Sequence, residues 1–399
     1  MSDNFSSILL SIPNDLLKIV ISLLTTSSRY LLFRLSRRLY KYKVIYNKID
    51  FTLYEGRSLT WKEQRYLIII DTISNGHTDL LKFFIPDIFD LYKVYTRMEA
   101  RYFREKAAET GRIEILEYIC QFMSYNETDH GLLPAAAEGG QLATIKWLRS
   151  KKCPWDTKAC SGAAKNGHFE ILKYLHENKC PWDVYTYSNA AANGHLEILK
   201  YLHENKCPFG KKVCYRAAAN GQLEILKYLR DIGCNWYTDA CSGAAKNGHF
   251  EILRYLHENG CPWDKSACES AAENGHFEIL QYLHENGCPW NYFTFSLAVE
   301  NGHFEILKYL HENKCPIDYS AYETAIKNGD LDIVKFLYEN DCVHIDNDGA
   351  TIAFKTGQMD ILKWLIDHGQ PFNEKLCFKF GSSIHDEDVS MLKWGFSRQ

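Results

Sequence analysis

No apolar run in this chain is long enough to cross a bilayer. The longest, such as Ile19-Val20-Ile21 and Leu67-Ile68-Ile69-Ile70, fall far short of the roughly 20 residues a spanning helix needs. The start, Met1-Ser2-Asp3-Asn4, lacks the basic stretch and apolar core of a secretory leader. A soluble protein of the cytoplasm, or of an equivalent reducing compartment, is the expectation. An excess of one charge is missing too: the formal net charge is −4 with 24% charged residues, so a nucleic-acid partner is not expected. Nor is there a Gly-rich phosphate loop, a Gly-x-Ser-x-Gly elbow or a paired-carboxylate signature. The chain therefore offers no residues for an enzymatic reading, and no cofactor is called for.

What it has in quantity is cysteine, 14 residues, and repetition. Cys153, Cys180, Cys207, Cys234, Cys261, Cys288, Cys315 and Cys342 recur every 27 residues. Residues at one place in stacked units lie about 8–10 Å apart, beyond the roughly 7 Å that a disulfide tolerates between Cα atoms. The periodic cysteines read as small buried apolar residues rather than as a disulfide framework.

Glycine sets the same register. Gly76, Gly111, Gly140, Gly167, Gly194, Gly221, Gly248, Gly275, Gly302, Gly329 and Gly357 each precede a segment like His-Phe-Glu-Ile-Leu-Lys-Tyr-Leu, and a degenerate copy survives at Met391-Leu392-Lys393-Trp394. The unit from Cys261 to Gly287 shows the logic. Asp264 is suited to cap a short first helix carrying Ala267, Cys268, Ala271 and Ala272. Asn274-Gly275 ends it, with glycine free to adopt the left-handed conformation. A second helix follows with Phe277, Ile279, Leu280 and Leu283 on one apolar face. Neither helix can bury its face alone, so the units must stack.

The string Ala271 to Leu283 resembles the second half of the ankyrin repeat, and with ten or more copies the resemblance covers about four-fifths of the chain. It implies an all-α solenoid of about twelve helix–turn–helix units over residues 66–399, with degenerate units as caps at both ends. The usual ankyrin period is about 33 residues. The shortfall here falls between the Cys-Pro-Trp-Asp turn and the first helix, where ankyrins carry a β-hairpin. Blunt turns are therefore expected in place of hairpin fingers. Abbreviated repeats with this signature look like those of giant DNA viruses infecting amoebae.

Residues 1–50 differ in character, and 51–65 read as a linker. Ile12-Pro13, Asp15-Leu16-Leu17, Val20-Ile21 and Leu24 are similar to the opening of an F-box, and Leu35-Ser36-Arg37-Arg38-Leu39 to its later part, with Leu39 in place of the usual aromatic. This resemblance implies docking on a Skp-type adaptor of a cullin–RING ubiquitin ligase through Ile12, Pro13, Leu16, Leu17, Val20, Ile21 and Leu24. The alternative is a helical cap shielding the first repeat. The basic run from Arg29 to Lys48 fits a charged helix face better than a nucleic-acid contact.

Two histidine series repeat. His168, His195, His249, His276 and His303 follow the Asn-Gly turn, and in ankyrins such a histidine braces neighbouring loops. His176, His203, His257, His284 and His311 stand four residues before a periodic cysteine, a spacing that could supply half a zinc site on one helix face. Packing is the simpler account of those cysteines. Trp155, Trp182, Trp236, Trp263 and Trp290 are expected to be buried between units. Partner specificity should reside in slots that vary among otherwise alike units. Bulky or charged residues there nominate Tyr185, Lys211, Lys212, Tyr215, Tyr292, Phe293 and Tyr319 as contacts for a protein partner.

Overall fold

The computed structural model describes residues 97–120, 130–342 and 349–370, together with isolated positions between 70 and 78. The F-box-like segment, the linker at 51–65 and the degenerate copy at Met391-Leu392-Lys393-Trp394 lie outside the described residues. The chain divides into two compact units, Met1–Trp182 and Asp183–Gln399. Among the described residues all regular structure is α-helical, in twenty helices.

In the first unit these are α1 (Arg97–Glu109), α2 (Ile113–Cys120), α3 (Leu132–Glu138), α4 (Leu142–Ser150), α5 (Thr157–Lys165) and α6 (Phe169–Glu177). Each odd-numbered helix pairs with the even-numbered one that follows it, and α1, α3 and α5 stack in chain order. The second unit repeats the scheme with α7 (Val184–Ala192), α8 (Leu196–Glu204), α9 (Val213–Ala219), α10 (Leu223–Asp231), α11 (Thr238–Lys246), α12 (Phe250–Glu258) and α13 (Lys265–Glu273). It continues through α14 (Phe277–Glu285), α15 (Tyr292–Glu300), α16 (Phe304–Glu312), α17 (Ser320–Asn328), α18 (Leu331–Glu339), α19 (Gly349–Lys355) and α20 (Met359–Asp367). Here α7, α9, α11, α13, α15, α17 and α19 stack consecutively, and each packs on its own second helix. Each unit is thus a helical solenoid, and the Cys-Pro-Trp-Asp turns lead straight into the next helix without a hairpin, as the short period requires.

Composition explains the stacking. First helices present small residues, so their backbones approach closely: Ala267, Cys268, Ala271 and Ala272 of α13 are all 0% exposed. Second helices supply the bulk. Ile279, Leu280 and Leu283 of α14 are buried, each stabilising the stack by roughly 1.5–3 kcal/mol through loss of apolar surface from water. Phe277 departs from expectation. It belongs to the same helix but is exposed, lying edge-on to Tyr309 of the next repeat at 5.4 Å between centroids.

The helix ends are closed by recurring polar devices. Asp264 Oδ1 accepts from the Ser266 backbone N–H at 3.0 Å, capping α13. Asp156 and Asp183 cap α5 and α7 in the same way, and Asn291 caps α15. At the other end Gly275 holds φ +76°, which lets the His276 N–H reach back to the Ala271 carbonyl at 2.9 Å. After α14 the Cys288 N–H bonds to the Leu283 carbonyl, also at 2.9 Å. No described helix is long and apolar enough to cross a membrane.

Candidate functional site

The repeated polar and aromatic residues divide into those that hold the stack and those exposed on its surface. The histidines after Asn-Gly belong to the first group. His276 Nε2–H donates to the Lys246 carbonyl at 3.1 Å and His303 Nε2–H to the Glu273 carbonyl at 3.1 Å. His168 donates to the Glu138 carbonyl at 3.0 Å, and Gln358 Nε2 to the Lys327 carbonyl at 3.3 Å. Each side chain reaches one repeat back and satisfies an orphan carbonyl at a first-helix C-terminus. This is the bracing expected from the sequence.

The second histidine series does something the spacing did not suggest. His176, His257 and His284 lie parallel to Trp182, Trp263 and Trp290, each pair 3.8 Å between ring centroids. Where arginine takes the histidine slot, Arg149 lies over Trp155 at 3.8 Å and Arg230 over Trp236 at 4.7 Å. The tryptophans are consequently half-buried rather than fully enclosed between units, except Trp236 at 8% exposure. A cationic or imidazole plane covers one face of each ring. From α12 to α16 the next tyrosine meets these stacks edge-on: Tyr282 faces His257 and Trp263, and Tyr309 faces His284 and Trp290.

The cysteine four residues on lies beyond the helix end, so it shares no helix face with the histidine. Its thiol reaches the backbone of the preceding cap instead. Cys180, Cys207, Cys288 and Cys315 donate to the carbonyls of Asp156, Asp183, Asp264 and Asn291 at 3.3–3.6 Å. The described cysteines are all buried and unbridged. Among the described residues no group of three or more His, Cys, Asp or Glu side chains is placed to hold a metal. Cys214 and Cys234, at different places in the repeat, bring their sulfurs to 3.4 Å.

Most of the residues nominated as partner contacts lie at the N-terminal ends of first helices in the second unit. Tyr185, Tyr292, Phe293 and Tyr319 are exposed at 60%, 46%, 48% and 47%. Lys211 and Lys212 are exposed as well. Tyr292 and Phe293 lie 4.3 Å apart between rings, and Lys265 Nζ stands 5.9 Å from the Phe293 ring. Lys211 Nζ stands 5.8 Å from the Tyr237 ring. Tyr215 sits differently. It is half-buried, and its ring lies where a Cβ on Gly243 would stand, 2.9 Å away. The missing side chain at Gly243 is what lets Tyr215 lie down on α11.

In the second unit two exposed aromatics, Phe209 and Tyr237, were not among the residues nominated from the sequence. Tyr237 occupies the slot filled by Asp264 or Asn291 in other repeats, and Phe209 the tryptophan slot. A bulky aromatic in place of a capping carboxylate was the available signal for Tyr237. The row therefore places an exposed aromatic at or beside the start of α7, α9, α11, α15 and α17, with lysines between.

A family model described as ankyrin repeats (three copies) matches residues 160–240, 215–294 and 295–375. A search of curated proteins found no match to the chain.

Proposed function

We propose that this chain, which belongs to the ankyrin repeat family, binds a protein partner along the aromatic row at the first-helix N-termini of its second unit. The observation that carries this reading is the exposure of Tyr185, Tyr292, Phe293 and Tyr319 in slots that other repeats fill with Thr, Ser, Lys, Asp or Val. Large aromatic side chains give much contact area for little ordering entropy, so they serve as anchors in interfaces. Alanine at Tyr292 and Phe293 together should weaken partner capture while the circular dichroism and melting temperature stay unchanged. Equal capture by wild type and the double variant would remove the aromatic row from the interface.

The finer reading is a substrate receptor: the solenoid captures a target while Ile12, Pro13, Leu16, Leu17, Val20, Ile21 and Leu24 engage a Skp-type ubiquitin-ligase adaptor. It is supported by the F-box-like spacing of those residues. Copurification with such an adaptor, lost on Leu16→Asp with Leu17→Asp, is the expected outcome. If the adaptor never copurifies, a plain scaffold or decoy directed at a host protein is the better description, with the N-terminal helices as a cap.

A further inference from the structure

Cys214 and Cys234 break the pattern their repeat otherwise follows. The turn thiols of Cys180, Cys207, Cys261, Cys288 and Cys315 each reach a carbonyl 24 residues back, as Cys288 reaches Asp264 at 3.3 Å. Cys234 instead meets the Cys214 sulfur at 3.4 Å, both side chains being buried. Three local departures from the repeat accompany this. The capping slot holds Gly210 rather than Asp or Asn, so α9 begins late and its N-cap, Lys212, makes no side-chain cap. The turn after the cysteine carries Asn235 where most repeats have proline. Helix α11, which follows, has Tyr237 at its N-cap and also makes no side-chain cap. The turn from Cys234 to α11 therefore lacks both a proline and a capping carboxylate, and the start of α9 lacks a capping carboxylate.

We propose that Cys214 and Cys234 form a dithiol site that closes to an intramolecular disulfide on exposure to a low-molecular-weight disulfide. A sulfur–sulfur bond is about 2.05 Å long, so closure from 3.4 Å asks the two sulfurs to approach by little more than an ångström. Cys234 is the entry point, being the more exposed of the two at 6% against 1%. Its thiolate attacks one sulfur of the small disulfide, forming a mixed disulfide and expelling one thiolate. The Cys214 thiolate then attacks the Cys234 sulfur and expels the second. Two protein thiols lose two protons and two electrons, and the small disulfide is reduced to two thiols. The thiol–thiol hydrogen bond favours this order. It holds Cys234 below the ordinary thiol value and pushes Cys214 above it, so the first nucleophile ionises before its resolving partner.

The neighbouring repeats supply internal controls. The neighbouring turn thiols of Cys261 and Cys288, together with burial, likewise push the thiols of Cys241 and Cys268 up. Those turn thiols are additionally engaged by the Tyr237 and Asp264 carbonyls, and each is followed by a proline.

The test is to incubate the full chain with oxidised glutathione, then unfold it in the presence of an alkylating agent and map the cysteines by mass spectrometry. The expected product has two fewer alkylated thiols than the fourteen of the reduced chain, with Cys214 and Cys234 joined in one linked peptide. Cys214→Ser should leave Cys234 as a stable glutathione adduct. Should that variant fold poorly, the linkage map of the wild-type chain decides alone. Full alkylation of both residues, a lasting glutathione adduct on wild-type Cys234, or cross-linking of Cys241–Cys261 and Cys268–Cys288 to the same extent would each overturn the proposal.

Discussion

The imidazole of His257 lies 3.8 Å from the ring of Trp263 with only 7° between their planes. The contact joins the last turn of α12 to the start of the following turn, so it fixes the angle at which one repeat hands the chain to the next. Aromatic contacts of this kind contribute about 0.5–1.5 kcal/mol beyond the area they bury. His257→Ala should lower stability by roughly that amount, read as an earlier midpoint in urea. His257→Arg should restore most of the loss, because Arg149 and Arg230 already cover Trp155 and Trp236 in this way. If arginine is as harmful as alanine, planar coverage of the tryptophan is not what stabilises the turn.

Glycines that look alike in the sequence should differ in tolerance. Gly275 has φ +76°, and a Cβ there would meet the His303 imidazole at 2.6 Å. That imidazole is held by its bond to the Glu273 carbonyl. Gly287 has φ +79° with nothing within 4 Å, and Lys179, Lys206 and Lys314 occupy the matching place with φ of 64°, 58° and 59°. Alanine at 287 should therefore cost about 1 kcal/mol, the left-handed penalty alone. Alanine at 275 should cost clearly more. Equilibrium unfolding of both variants checks the order.

The capping carboxylates predict an acid limit. At Asp264 burial alone would raise the carboxyl, but hydrogen bonds from the Ser266 side chain and backbone outweigh it and hold the group below the usual carboxylate range. Asp318 is held low in the same way, by Ser296 and Ser320. A depressed folded value means that the stability these groups confer is complete above the unfolded value of about 3.9 and is lost as the pH falls through the folded one. Asp264→Asn should keep the cap, as Asn291 does, yet flatten the fall in urea midpoint with acid. Asp264→Ala should cost about 1 kcal/mol near neutrality. An unchanged acid profile in the asparagine variant would show that Asp264 does not contribute to that limit.

Core truncation should be severe and local. Leu280 is fully buried beneath α13, and Leu280→Ala is expected to cost about 2–5 kcal/mol. Because each repeat contacts only its neighbours, hydrogen exchange should rise first in α13 to α15 rather than across the chain. Uniform acceleration would contradict nearest-neighbour stability.

Much of the repeat was legible because its signals are local. Asp264 as a cap, Gly275 as a left-handed stop and Ile279, Leu280 and Leu283 as one buried face follow from residue chemistry and a 3.6-residue period. The 27-residue spacing even excludes the hairpin, since no residues remain to build it. What lies between repeats did not follow, because stacking brings together residues that no periodicity within a helix relates. Only the tertiary structure made His257 the cover of Trp263, stood Phe277 against Tyr309, and laid Tyr215 on Gly243. It also decided which exposed aromatics share an edge, and it set the Cys214 and Cys234 sulfurs side by side. The sequence by itself determined the repeating unit; the geometry of one unit against the next determined what each repeated side chain is for.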